Sequence, residues 1–166
     1  MLFASGGGSN VNTILNNFKE RPDLEFPVIV TNNAKAGVIQ VAESHGIDIM
    51  LINKGIFQEE MFIDTIDFYK PDLIVLAGFL WKIPDFLIRK YANKIVNIHP
   101  ALLPKYGGKG MYGHHVHEAV IEAKEKESGI TIHMVNEQYD SGTVLLQKKV
   151  KIDKKDTPET LATKVL

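Results

Sequence analysis

Short apolar runs alternate with stretches of helical period through the first hundred residues. Residues 1–4 read as a strand, a glycine-rich stretch follows at 5–10, and Val11, Ile14, Leu15 and Phe18 then recur on one helical face. The pattern repeats with a strand at 26–31 and a helical face of Val38, Val41, Ala42 and His45. It repeats again with a strand at 47–52 and a helix marked by Met61, Phe62, Thr65, Ile66 and Tyr69. Pro71 closes that helix, because a proline disfavours helical backbone at the residue before it. Residues 73–77 are apolar without alternation, as in a strand buried on both faces. Pro84 suits the first turn of a helix running to about Tyr91, and 95–98 is a fifth strand.

After residue 99 the pattern changes. A loop carrying Gly107, Gly108, Gly110 and Gly113 leads to a helix around 117–125. Two β-type segments follow, 130–135 and 144–152, and the Asp140-Ser141-Gly142 turn between them suits an antiparallel pair. Thr157 and Pro158 read as the cap and first residue of a last helix. Strand–helix alternation followed by an antiparallel pair predicts an α/β fold. The expected form is a doubly wound, mostly parallel sheet with a Rossmann-like N-terminal half and the antiparallel pair at the C-terminal end. One domain is expected over 1–166, and it reads as clipped at both ends: the first strand is short and the last helix has barely begun.

Composition narrows the class. Hydrophobic residues are 45% and charged residues 23%, ordinary for a soluble globular chain. A formal net charge of -1 offers no electrostatic hold on a phosphate backbone, so nucleic acid is not an expected partner. The chain has no cysteine, which removes disulfides, thiolate metal sites and a thiol nucleophile. No apolar run approaches the roughly 18 residues of a membrane helix, so no membrane partner is expected. A cytoplasmic enzyme or binding module fits these bounds, as a monomer or homodimer.

Three segments carry candidate chemistry. Ser5 to Asn10 lies between the first strand and first helix, where glycines let backbone N–H groups face a phosphate. A dinucleotide fingerprint wants a glycine where Val11 stands and an acidic residue near Thr31-Asn32-Asn33; a Walker loop wants a lysine that is absent. A single phosphate is the reading left, against a tight turn with no ligand. Asn97 and His99 end the fifth strand two residues apart, so both face one side. There they can serve proton transfer and oxyanion stabilisation; a loop-capping histidine is the alternative. Asp140 is a third member or a simple turn residue, and a carboxylate beside His99 is expected to raise its pKa.

The remaining histidines and aromatics are less decisive. His114, His115 and His117 lack a converging second half for a metal, and none is expected to bind one. His45, on the apolar stripe of the second helix, reads as a packed histidine, while His133 faces either core or cleft. Phe79-Leu80-Trp81, just past the central strand, is either core or a surface for a planar heterocycle.

The ordered set SGGGSN at 5–10, LAGF at 76–79, NIHPALLPKYGGKG at 97–110 and Asp140-x-Gly142 after Thr131-Ile132-His133 resembles the phosphoribosylglycinamide formyltransferases. The resemblance implies the formyltransferase fold. It also implies transfer of a formyl group from 10-formyltetrahydrofolate, as cosubstrate, to the amine of glycinamide ribonucleotide in de novo purine synthesis. By the same resemblance Asn97, His99 and Asp140 are catalytic, and Gly8, Ser9 and Asn10 hold the substrate phosphate. Leu80, Trp81, Lys82, Ile83 and Asn97 line the folate site. Relatives with an arginine near position 60 use it on the folate tail; here the residue is Glu60. An acidic contact to the substrate amine lies past residue 166 in the family. The competing functions are another 10-formyltetrahydrofolate-using transferase, a hydrolase of that donor, and a non-catalytic nucleotide-binding module.

Overall fold

The computed structural model describes residues 1–165. The chain divides into two compact units, Met1–Ile95 and a second from Val96 on. The first is built on four parallel strands: β1 (Leu2–Phe3), β2 (Val28–Thr31), β3 (Asp48–Leu51) and β4 (Ile74–Leu76). They lie in the order β3-β2-β1-β4. Four of its helices are α1 (Ser9–Phe18), α2 (Val38–His45), α4 (Phe62–Phe68) and α5 (Asp85–Lys90). The fifth, α3 (Lys54–Gln58), does not show in the apolar spacing. It is five residues long, capped by Asn53 Oδ1 accepting from the Ile56 N–H at 3.0 Å, and only Phe57 is buried.

Local sequence explains most of these elements. Val11 and Leu15, four apart on α1, are buried, while Phe18 ends the helix 39% exposed. Burying each such side chain contributes roughly 1.5–3 kcal/mol. β2 is buried throughout, as its unbroken Val28-Ile29-Val30 run requires. Gly46 closes α2 in the left-handed region at φ 66°, which a glycine adopts freely. His45 is packed at the α1–α2 contact: it is half-buried, and its Nε2 lies 3.0 Å from Asn12 Oδ1 on α1. Phe57 is fully buried against Phe62, Phe79 and Trp81, with ring centroids 5.6 Å away in each case. The pairs with Phe62 and Phe79 are edge-on, and such contacts add about 0.5–1.5 kcal/mol each to burial. The short helix α3 is thus held by one anchor that also fixes the segment after β4.

The second unit carries β5 (Ile95–His99), α6 (His114–Glu122), β6 (Glu127–Met134), β7 (Val144–Lys151) and α7 (Pro158–Val165), with β5 starting at the boundary. β6 runs antiparallel to both β5 and β7. On β6, Gly129, Thr131 and His133 are buried at alternate positions, the period of a strand with one face inward. Gly129 is required where it stands, since a Cβ there meets the Lys148 carbonyl of β7. Val120, Leu161 and Val165 form the core between α6 and α7, with Ile130 and Val150 packed against it. The fold class is α/β, mostly parallel through β1–β4, with the antiparallel pair at the C-terminal end. No helix among the described residues is long and apolar enough to cross a membrane.

Candidate active site

In the first unit, the glycine-rich segment turns from β1 into α1. Gly8 adopts φ 81°, and a Cβ there would lie 2.9 Å from Val38 Cα, so both the backbone angle and the space demand glycine. The Val38 N–H donates to the Gly6 carbonyl at 3.1 Å, seating the turn on the start of α2. Gly6, Gly7 and Ser9 stay exposed and Asn10 half-exposed at the amino end of α1, where first-turn N–H groups have no helical partner. Ser5 does something the sequence does not show. It is buried, its N–H donates to the Gly78 carbonyl at 3.0 Å, and its Oγ accepts from the Leu80 N–H at 2.9 Å. The turn after β1 and the segment after β4 are therefore tied together.

The four residues of that second segment part company. Leu80 is 50% exposed, and Trp81 is half-buried against Phe57 and Phe79. Lys82 is turned to Asp85 at 3.1 Å, and Ile83 is buried. Trp81 also walls a concavity of about 410 Å³ with Asn32, Leu51, Asn53 and Lys54, at the carboxyl ends of β2 and β3.

In the second unit, Asn97, His99 and Asp140 come together. Asn97 and His99 lie two apart on β5, and Asp140 Oδ1 is 3.5 Å from Asn97 Nδ2 and 3.6 Å from His99 Nδ1. Asp140 sits in the left-handed region at φ 51°, a setting Asp and Asn tolerate better than most side chains. Its Oδ2 accepts from the Gly108 N–H at 2.9 Å. A Cβ on Gly107 would lie 2.5 Å from Leu103 Cδ2 and 3.1 Å from Asp140 Cβ, so the glycine loop lets the carboxylate approach and then anchors it.

His99 is 3% exposed. Its Nε2 lies 2.7 Å from the Tyr106 carbonyl, which only accepts, so Nε2 carries a proton and Nδ1 faces Asp140. Burial pushes the His99 pKa down, and this outweighs the upward pull of Asp140 and the Tyr106 bond. The expected rise is therefore reversed, because desolvating an imidazolium costs more here than one carboxylate at 3.6 Å returns. Burial also opposes ionisation of Asp140. The nearness of the His133 ring, the Gly108 N–H bond and the nearby His99 more than offset it, and the net direction is down.

His133 is the residue that sequence reasoning left undecided. It is buried opposite Asn97 in the strand register, with Nε2 3.1 Å from Asn97 Nδ2 and 3.5 Å from Asp140 Oδ1. Its register position next to Asn97 was the signal, readable only once β5 and β6 are paired. Thr131, opposite His99, is fully buried; its hydroxyl donates to the Ala101 carbonyl at 2.6 Å and accepts from the Leu103 N–H at 3.0 Å. It clamps the chain leaving His99. His114 and His115 pair instead with carboxylates: His114 with Glu118 and Glu159, each at 3.4 Å, and His115 with Glu118 at 3.1 Å. His117 is buried and its pKa is lowered, first by desolvation and then by His114 and His99.

Two buried histidines that resist protonation make stability pH-dependent. His99 and His117 sit below the ordinary value of 6.5, so below that pH the unfolded chain binds more protons than the folded one. Stability is fully present above 6.5 and falls as pH drops beneath it toward the folded values. The urea midpoint should fall between about pH 7.5 and about pH 5.5, and fall less in His117→Gln. Equal pH dependence in the two proteins would show that His117 contributes nothing.

A parallel α/β half and a buried imidazole flanked by a half-buried amide and carboxylate at the end of β5 define an enzyme-like protein of the acid–base type. The chain belongs to the formyl transferase family, whose model matches residues 1–166. It is 41% identical to the chloroplastic phosphoribosylglycinamide formyltransferase of Arabidopsis thaliana, over 99% of this chain and 59% of that protein. It is 36% identical to the Bacillus subtilis phosphoribosylglycinamide formyltransferase, over 99% of this chain and 85% of the relative. The crystal structure of the Anaplasma phagocytophilum phosphoribosylglycinamide formyltransferase superposes with a TM-score of 0.90 at 29% identity, covering 99% of this chain and 77% of that one.

Proposed function

We propose that the protein transfers a formyl group from 10-formyltetrahydrofolate to the amine of glycinamide ribonucleotide. The observation that carries this reading is the convergence of Asn97 and His99 on Asp140 in a chain matched by the family along 1–166. The names of the relatives supply the acceptor class. In this reading the whole chain is one formyltransferase domain, and the proposed compartment is the cytoplasm, in keeping with a composition ordinary for a soluble chain.

Each residue has a role in this reading. The Gly8, Ser9 and Asn10 turn receives the ribonucleotide phosphate at the amino end of α1, where orphan N–H groups and the helix dipole favour an anion. Leu80, Trp81, Lys82 and Ile83 form the donor-side segment, Leu80 through exposed apolar surface, Trp81 through its half-buried ring and Ile83 through its packing beneath. The acceptor amine attacks the formyl carbon. An Asn97 Nδ2 proton donates to the oxyanion that forms. His99, neutral at the outset, takes the amine proton at Nδ1, facing Asp140, and returns it to the leaving nitrogen of the donor. Asp140 steadies the imidazolium in between. No metal enters this scheme.

The test is tetrahydrofolate release, followed spectroscopically with and without glycinamide ribonucleotide. Release that requires the amine is the expected result. Release without it would make the protein a hydrolase of the donor, and transfer only to a different amine would make it another formyltransferase. Binding without release would leave the nucleotide-binding module.

A further inference from the structure

We infer that His133 is a positioning residue that sets which end of the Asn97 amide faces the reaction, an inference that rests on the proposed formyl transfer. His133 Nδ1 lies 2.9 Å from the Met134 carbonyl, an acceptor only, so Nδ1 bears a proton. Its Nε2 lies 3.1 Å from Asn97 Nδ2, an amide nitrogen that only donates, so Nε2 is the bare acceptor. The ring is thus locked by its own backbone as the Nδ1–H tautomer.

The second acceptor near Asn97 points the same way. Asp140 Oδ1 is 3.5 Å from Asn97 Nδ2, at the limit of a hydrogen bond. Turning the amide over would set its carbonyl oxygen against both the bare His133 nitrogen and a carboxylate oxygen, which is repulsive in a buried site. One Asn97 N–H is therefore tethered to His133 at 3.1 Å. The other, facing only the long Asp140 contact, is the donor free to meet a developing oxyanion. The order of control runs from the Met134 carbonyl to His133, and from His133 to Asn97. Nothing in it requires His133 to touch substrate.

The experiment is a double-mutant cycle with an NMR readout on the full chain. His133→Leu removes the acceptor at similar volume, while His133→Gln keeps an oxygen able to accept from Asn97. His133→Leu is expected to lower kcat by about 10²-fold with little change in KM, the scale of a misplaced catalytic group. His133→Gln should recover most of that loss. In an Asn97→Ala background, adding His133→Leu should cost less than about 3-fold, since a residue acting through Asn97 has nothing left to position. Nitrogen-15 spectra of the wild type should show the His133 ring protonated at Nδ1 only.

A wild-type kcat in His133→Leu, an additive cycle, or an Nε2–H tautomer would each overturn the inference. Absence of transfer in the wild type would count against the functional reading. In that event the Asn97 side-chain amide signals decide: shifted by His133→Leu and restored by His133→Gln supports the positioning role, and unmoved refutes it.

Discussion

His99→Ala is expected to lower kcat for the proposed formyl transfer by about 10²–10⁴-fold with both substrates saturating, the range for loss of a positioned acid–base group. The effect should lie in kcat and leave KM nearly unchanged. Nothing in the geometry spends His99 on holding a substrate: its Nε2 is bound to the Tyr106 carbonyl and its Nδ1 faces Asp140. Removing a buried imidazole also leaves a cavity, so His99→Gln should be measured beside it, together with the unfolding midpoint. If either variant folds and turns over at near wild-type rate, the proton path through His99 is wrong.

The second large effect is expected from a residue with no side chain. Gly142→Ala forces a Cβ against the Met134 carbonyl oxygen, a backbone atom that cannot swing aside. The turn must move instead, and it carries Asp140 two residues earlier. A forced backbone shift of this sort costs about 1–3 kcal/mol, and a displacement near 1 Å at the site can cost about 10²-fold in rate. A lower urea midpoint together with a lower kcat is the expected pair. An active variant of unchanged stability would mean that the turn accommodates the methyl group without moving Asp140.

The legible parts of the molecule were those whose local pattern has one solution. Val11 and Leu15 on α1, the unbroken apolar run of β2, and Pro84 before α5 each specify their element within a few residues. Asn97 and His99 were legible as a pair, because a strand puts residues two apart on one face whatever it packs against. The helix α3 was not, since its five residues hold one buried side chain and no period. The apolar Val144, Leu145 and Leu146 of β7 show the strand but not its surroundings, for all three are exposed. Ser5, Gly107 and His133 depend on partners 75, 33 and 36 residues away along the chain, and no local rule reaches that far. The direction of the His99 pKa needed the same knowledge: proximity to Asp140 follows from a motif, whereas the depth of burial follows only from the fold.

The bond from His99 Nε2 to the Tyr106 carbonyl has a consequence for how the two substrates must meet. A histidine with both nitrogens open can take a proton on one edge and release it from the other, like a corridor. Here one edge is sealed by the backbone, and the ring becomes a room with a single door. The nitrogen that surrenders its proton and the nitrogen that later receives it must reach the same edge of the same imidazole. In the proposed reaction, amine and folate therefore approach from one side of the ring, and any ligand built to imitate both at once needs its two nitrogens on that side.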